Sequence, residues 1–330
     1  MTLRTRKLRV GNAIPAPRFQ HDLLQWFDQH KRDLPWRQDR DPYHVWLSEI
    51  MLQQTRVAAA VEHYKRFLRC FPTIKKLAAA RESSVLAAWS GLGYYRRARM
   101  MHAAARKIVR ERSGMFPTTA SELRTLPGIG RYTSAAIASI AFDEPVAVVD
   151  GNVERVLQRV VGESIRGQHL WQTAETLLCQ ERPGDFNQAL MELGATVCLP
   201  RKPKCLLCPV FNMCATRGEI RMAREVAPQK KIEIHYALDC RNGSVFLIKR
   251  GKTATLMPGM WELPEIASTN DSSKACLTLR HSITVTDYVV RVVQCELPEE
   301  TNGSWVARSR LAALPLTGLA RKILRAAKVI

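Results

Sequence analysis

The 330-residue chain contains no run of about 18 apolar residues, the length a membrane-spanning helix needs. A membrane partner is therefore not expected. Nothing marks an oxidising compartment, so the nine cysteines are not expected to form disulfides. Acid is scarce: 30 Asp and Glu stand against 50 Lys and Arg, a formal charge of +20. An excess of that size attracts phosphate backbones, with an anionic membrane surface as the competing partner. Residues 1 to 21 hold no acid at all, but carry Arg4, Arg6, Lys7, Arg9 and Arg18. No apolar core or cleavage signal follows them. This weighs against a transit peptide and favours a basic arm lying on DNA. Internal repeats and low-complexity segments are absent as well. What remains is a globular composition, 46% hydrophobic, sufficient for two or three lobes with cores of their own.

Against this background four cysteines stand out. Cys198, Cys205, Cys208 and Cys214 follow the spacing C-x6-C-x2-C-x5-C. Four thiolates so close in sequence can converge on one metal centre, and zinc and an iron–sulfur cluster both accept them. Spacing alone leaves that choice open. The loop between the first two carries Arg201, Lys202 and Lys204, so a pinned basic loop would face a polyanion. Cys70, Cys179, Cys240, Cys276 and Cys295 show no ligand spacing and read as ordinary small hydrophobes.

From about residue 20 to 215 the pattern is helical. Asp41-Pro42 reads as N-cap and first residue of a helix running to about Ala60. Ser121-Glu122-Leu123-Arg124 opens another helix, and Asp150 begins a third over Asn152 to Val161. Past residue 216 the character changes. Arg217 to Lys231 is charged, carries Pro228 and reads as a linker. His235 to Leu238 and Val245 to Ile248 flank Asn242-Gly243, a hairpin signal. Thr284 to Val293 is strand-rich, and Arg321 to Lys328 reads as a basic terminal helix. The expected organisation is a basic arm (1–20), an all-α body (21–216) with the cysteine loop (198–214), a linker (217–232) and a small α/β domain (233–330).

Leu126-Pro127-Gly128-Ile129-Gly130 lies between two helical stretches, with Arg131 opening the second. Glycines there let a phosphate approach main-chain N–H groups at the positive end of a helix. An ordinary glycine-rich turn is the other reading. The hairpin, Val149-Asp150-Gly151-Asn152-Val153 and the four-cysteine loop together resemble the helix-hairpin-helix, iron–sulfur DNA glycosylases, the endonuclease III-like superfamily. Within it the chain is similar to the adenine DNA glycosylases. That resemblance rests on Leu34-Pro35-Trp36-Arg37, the stretch Ser48 to Thr55, Gly91-Leu92-Gly93-Tyr94-Tyr95, Phe186-Asn187-Gln188-Ala189-Leu190 and Trp261-Glu262-Leu263-Pro264.

The resemblance implies a two-lobed all-α glycosylase body with a 4Fe-4S cluster on Cys198, Cys205, Cys208 and Cys214, then a Nudix-like domain. It implies adenine DNA glycosylase activity in base excision repair. Cleavage of a glycosidic bond calls for two carboxyl groups in unlike surroundings. Glu49 shares a helical face with Val45 and Leu52, and burial there would keep it protonated. A solvated surface Glu is the alternative. Asp150 reads as a helix N-cap that can also be catalytic. By resemblance Glu49 protonates adenine, Asp150 stabilises the sugar cation, and Tyr132 and Asn152 orient them. Tyr132 stands where lyase members carry a Schiff-base lysine, and Arg131 is a poor amine nucleophile, so efficient strand cleavage is not expected.

By the same resemblance Trp36, Arg37 and Gln188 contact the flipped adenine, Leu52, Gln54 and Tyr94 probe the duplex, and Gly128, Gly130 and Arg131 grip its backbone. The partner is double-stranded DNA with adenine mispairs. A monomer is expected, in the cytoplasm and nucleoid-associated if bacterial. Two departures occur in the C-terminal domain. No glutamate-rich metal box follows Trp261-Glu262-Leu263-Pro264, so hydrolysis there is not expected. The family's Phe-Ser-His reader of 8-oxoguanine is replaced by Ile283-Thr284-Val285. The rivals are a glycosylase with altered opposite-base preference and an inactive DNA-binding scaffold.

Overall fold

The computed structural model describes residues 14–218, 230–251, 253–254, 257–267, 275–283 and 286–330. Most of the basic arm, most of the linker, and Thr284 and Val285 of the expected reader loop lie outside the described residues. The helices are α1 (Ala16–His30), α2 (Pro42–Leu52), α3 (Val57–Cys70), α4 (Ile74–Ala79), α5 (Glu82–Trp89), α6 (Tyr95–Arg112), α7 (Ala120–Leu123), α8 (Arg131–Phe142), α9 (Gly151–Val161), α10 (Gly167–Leu177), α11 (Pro183–Thr196) and α12 (Gly318–Ala326). The strands are β1 (Lys230–Leu238), β2 (Cys240–Arg241), β3 (Ser244–Lys249), β4 (Trp261–Glu262), β5 (Glu265–Ile266), β6 (Ala275–Ile283), β7 (Thr286–Gln294) and β8 (Ser304–Ala307). Among the described residues no helix is long and apolar enough to cross a membrane.

Contacts divide the chain into two units, each drawn from two stretches. One takes the described residues of Met1–Glu49 and Phe116–Ala223, the other those of Ile50–Met115 and Arg224–Ile330. In the first, helical periodicity does the assembling. Phe19, Leu23 and Phe27 of α1 line one stripe, as do Val153, Val156, Leu157 and Val160 of α9 and Phe186, Ala189, Leu190 and Leu193 of α11. These stripes meet in a single core. In the second unit, α3 and α5 pack through Phe67 edge-on to Trp89, with ring centroids 5.7 Å apart.

The C-terminal part of the second unit is α/β. One sheet has the order β5-β1-β7-β6, with β1 and β7 parallel and the outer pairings antiparallel. The other has the order β2-β3-β4, with β8 also on β3. Leu319, Ala320, Ile323 and Leu324 of α12 share a core with Tyr236, Leu238, Val290 and Val292.

Three expectations are corrected. The helix from Pro42 ends at Leu52, not near Ala60, because Gln54 turns left-handed (φ 59°) and α3 starts afresh at Val57. The segment from Ser121 contributes only the four-residue α7 before the chain enters the hairpin. Asn242-Gly243 does turn a hairpin, with φ 48° and 72°, but its incoming strand is Cys240–Arg241. His235 to Leu238 belong to β1, paired along its length with β7. The chain changes sheets at buried Asp239, whose carboxylate accepts from Arg241 and from the Leu297 backbone N–H.

Candidate active site

Glu49 sits on the buried face of α2 beside Val45 and is only 7% exposed. Its Oε2 accepts a 2.5 Å hydrogen bond from the Tyr132 hydroxyl. Burial raises the Glu49 carboxyl to about 7 despite that bond, and the negative charge of Asp150 adds to the rise. Burial, then the charges of Glu49 and Asp150, hold the Tyr132 hydroxyl well above its ordinary value, so it stays a donor. Asp150 caps α9: Oδ1 accepts from the Asn152 and Val153 backbone N–H at 2.8 and 2.7 Å, and Oδ2 from Asn152 Nδ2 at 2.9 Å. The structure thus brings together all four residues that the sequence marks for catalysis.

Arg37, Trp36 and Gln188 also meet. Arg37 Nε donates to Gln188 Oε1 at 3.2 Å, and all three line one cleft. Trp36 is buried, 7% exposed. Sequence reasoning missed Glu192, which is 1% exposed and organises this wall. It accepts two hydrogen bonds from the Arg32 guanidinium, at 2.6 and 3.0 Å, one from the Arg32 backbone N–H at 3.3 Å and one from Arg37 at 2.9 Å. Burial pushes the Glu192 carboxyl up, but the two arginines outweigh it and hold it below its ordinary value. The signal was an acid among the apolar residues of α11, one turn past Gln188.

Leu52, Gln54 and Tyr94 belong to the second unit. Leu52 is half-buried at the end of α2 and Gln54 is exposed. Tyr94 is 46% exposed and left-handed (φ 47°) at the cap of α6. In the hairpin, Gly128 takes φ 76°, which side-chain-bearing residues avoid, and Gly130 caps α8 with open space where a Cβ would stand. The Arg131 guanidinium lies 3.8 Å from the Trp171 ring centroid and bonds Gln168 and Glu175.

The four clustered cysteines line one cavity, together with Val156, Leu193 and Arg159. Burial pushes the Cys208 thiol up to about 12, and the neighbouring Cys198, Cys214 and Cys205 add to the rise. Arg159, 2% exposed, donates from Nη1 to Cys198 Sγ at 3.2 Å, while its buried Nε has no partner among the described residues. Arg155 bridges the cavity wall and the catalytic cap. It donates to Cys198 O, Gly194 O and Asn152 Oδ1, each at 2.8 Å. Neither arginine was legible in sequence, because each is defined by partners some forty residues away.

The profile of the HhH-GPD superfamily base excision DNA repair protein matches residues 47–176, a stretch holding Glu49, the hairpin and Asp150. The adenine DNA glycosylase of Rattus norvegicus is 50% identical over 221 residues, 62% of this chain and 43% of that protein. That of Buchnera aphidicola subsp. Acyrthosiphon pisum is 33% identical over 270 residues, 77% of this chain and 76% of that one. The structure of a thermostable thymine-DNA glycosylase superimposes with a TM-score of 0.58 at 31% identity, over 62% of this chain and 97% of that chain. The chain spans less than half the length of the mammalian relatives it matches, 41–43%. With the helical body, the hairpin and the Glu49–Tyr132–Asp150 arrangement in place, the chain belongs to the adenine DNA glycosylase family of the helix-hairpin-helix base excision DNA repair superfamily.

Proposed function

We propose that the chain is a monofunctional adenine DNA glycosylase, hydrolysing the N-glycosidic bond of adenine mispaired with 8-oxoguanine or guanine. The observation that carries this is a buried carboxyl poised near pH 7, beside a second carboxyl fixed by three N–H donors. The base leaves the stack first. Arg37 and Gln188, bonded to each other at rest, exchange that bond for the incoming adenine. Glu49 gives its proton to the base, the C–N bond breaks, and Asp150 stabilises the sugar cation. Glu49, now ionised, takes a proton from the water that adds to the sugar, which restores its starting state. Tyr132 holds Glu49 throughout and offers no amine to the sugar, so no Schiff base forms there.

Four thiols that share one cavity match the ligand set that the resemblance implies for a 4Fe-4S cluster. Arg159, whose Nη1 already donates to Cys198 Sγ, adds a donor for an anionic sulfur-rich group. Such a cluster would supply a fixed core for the basic loop and would take no part in base release. The mixed sheet with α12 supports a Nudix-like reading of the C-terminal part as a mispair reader, with the expected aromatic and imidazole replaced.

That replacement is the one observation behind a second reading, a changed opposite-base preference. The four catalytic residues gathered in one site count against an inactive scaffold. Single-turnover base release from duplexes with adenine opposite 8-oxoguanine, guanine, cytosine and thymine separates them. The expected result is release from the first two, with only a weak preference between them, and none opposite thymine. Release confined to cytosine would establish the altered preference. No release from any duplex would leave the scaffold.

A further inference from the structure

The second unit presents two exposed side chains on separate loops, Gln54 after α2 and Tyr94 before α6. Both backbones are left-handed, with φ 59° and 47°. Non-glycine residues hold such conformations only where their surroundings over-determine them. One side chain does so for both. Arg97 Nη1 donates to Ile50 O at 2.7 Å, to Met51 O at 3.4 Å and to Gln53 O, the carbonyl next to Gln54. Its Nη2 donates to Leu92 O at 3.3 Å, in the loop leading to Tyr94. The guanidinium lies 5.3 Å from the Tyr94 ring centroid and 5.6 Å from that of fully buried Trp89. Trp89 in turn donates to Gly93 O at 3.1 Å. The first two carbonyls are end groups of α2 that the helix leaves unpaired. A lysine has three donors on a point charge and cannot span two loops while stacking on two rings.

We infer that Arg97 is the positioning residue of a duplex-probing tip, locking Gln54 and Tyr94 into one rigid unit that unstacks the base pair. This rests on the glycosylase reading above and deepens it. A tip that must displace stacked bases works only if it does not yield. The cost of ordering two loops is therefore met in the free protein rather than on DNA. Burial lowers the Arg97 guanidinium to about 10, which leaves it charged across the working range.

The full chain and its Arg97→Lys and Arg97→Gln variants are given two duplexes. One places adenine opposite guanine with 2-aminopurine as the neighbouring base. The other places adenine opposite a stable abasic analogue, where pairing and stacking are already weak. Misplacing a positioning group costs roughly tenfold to a hundredfold, and that loss of single-turnover release is expected on the mispair, with the 2-aminopurine signal abolished. Near wild-type release is expected on the abasic-opposed adenine. In a Gln54→Ala/Tyr94→Ala background, Arg97→Lys should add no further loss. Equal losses on both duplexes, or an additive loss in the double-alanine background, would overturn the assignment in favour of a merely structural cap. If Arg97→Gln does not fold, Arg97→Lys and the alanine background decide alone. If the wild type releases adenine from neither duplex, the glycosylase reading fails, while the fluorescence signal still decides the role of Arg97.

Discussion

Burial lifts the Glu49 carboxyl from an ordinary 4.5 to about 7, and this has opposite effects on stability and on chemistry. In the unfolded chain the group ionises near 4.5, while in the fold it stays neutral until about 7. Folding therefore loses stability as pH climbs between those values, by about 3 kcal/mol in total at 1.36 kcal/mol per unit. Glu49→Gln removes that loss. Urea unfolding should show the variant more stable than wild type at pH 8, by that order, and little changed at pH 4. Its single-turnover base release should fall by about two to four orders of magnitude. Wild-type release should decline above pH 7, as the proton donor is lost. A flat profile between pH 6 and 9 would rule Glu49 out as the acid. The Val45–Glu49 spacing showed which face the carboxyl shares, but not how deep that face lies. Depth came from Tyr132, 83 residues away. Glu192, Arg155 and Arg159 were illegible for the same reason: a buried charge announces itself through partners that only the fold assembles.

Between elements, the catalytic cap depends on how closely α11 approaches α9. Gly194 makes room: a Cβ there would stand 2.6 Å from Asn152 Cβ and 3.0 Å from Asn152 O. Two effects compete in Gly194→Ala. Helix propensity favours alanine by about 1 kcal/mol. Overpacking against a carbon and a carbonyl costs about 1–3 kcal/mol, and the contact is too short for the propensity gain to offset it. The helices must part, shifting Asn152 and, through its two bonds, Asp150. Thermal unfolding should record a modest destabilisation, and single-turnover release a larger loss than stability alone explains. Unchanged rates would show that the cap tolerates the shift. Helix starts were the elements most legible in sequence, because Asp41 and Asp150 carry their own capping chemistry. The end of α2 was not, because Gln54 bears no breaker signature and is held left-handed by Arg97 through tertiary bonds. The hairpin at Asn242-Gly243 was legible as a turn and illegible as a pairing, since strand partners are chosen across the sheet.

Across the whole chain, composition changes near residue 216, while contacts also divide it at Glu49/Ile50 and Met115/Phe116. Glu49/Ile50 falls inside α2, where helical periodicity runs unbroken and no sequence signal marks the division, while Met115/Phe116 lies in a loop between Gly114 and Pro117 that looks like any other interhelical turn. The charge of +20, by contrast, is a property of the entire molecule and was legible at once. It predicts binding to DNA that weakens steeply with salt, by about 0.9 in log–log slope for each phosphate neutralised. Arg201, Lys202 and Lys204 are exposed on the loop that the four cysteines enclose, so their share of that slope depends on what fills the cavity. Protein purified without oxygen should carry about four irons per chain, as a cluster on four thiolates requires. Cys205→Ser should lower iron content and release the loop. The salt slope should then fall by about 2 to 3, one unit for each basic residue set adrift. Release of adenine from DNA already bound should change much less, because Glu49, Tyr132 and Asp150 do not line the cavity. One zinc per chain would contradict the cluster. An unchanged salt slope with iron lost would show instead that the loop binds no phosphate, and that the excess charge acts from elsewhere on the chain.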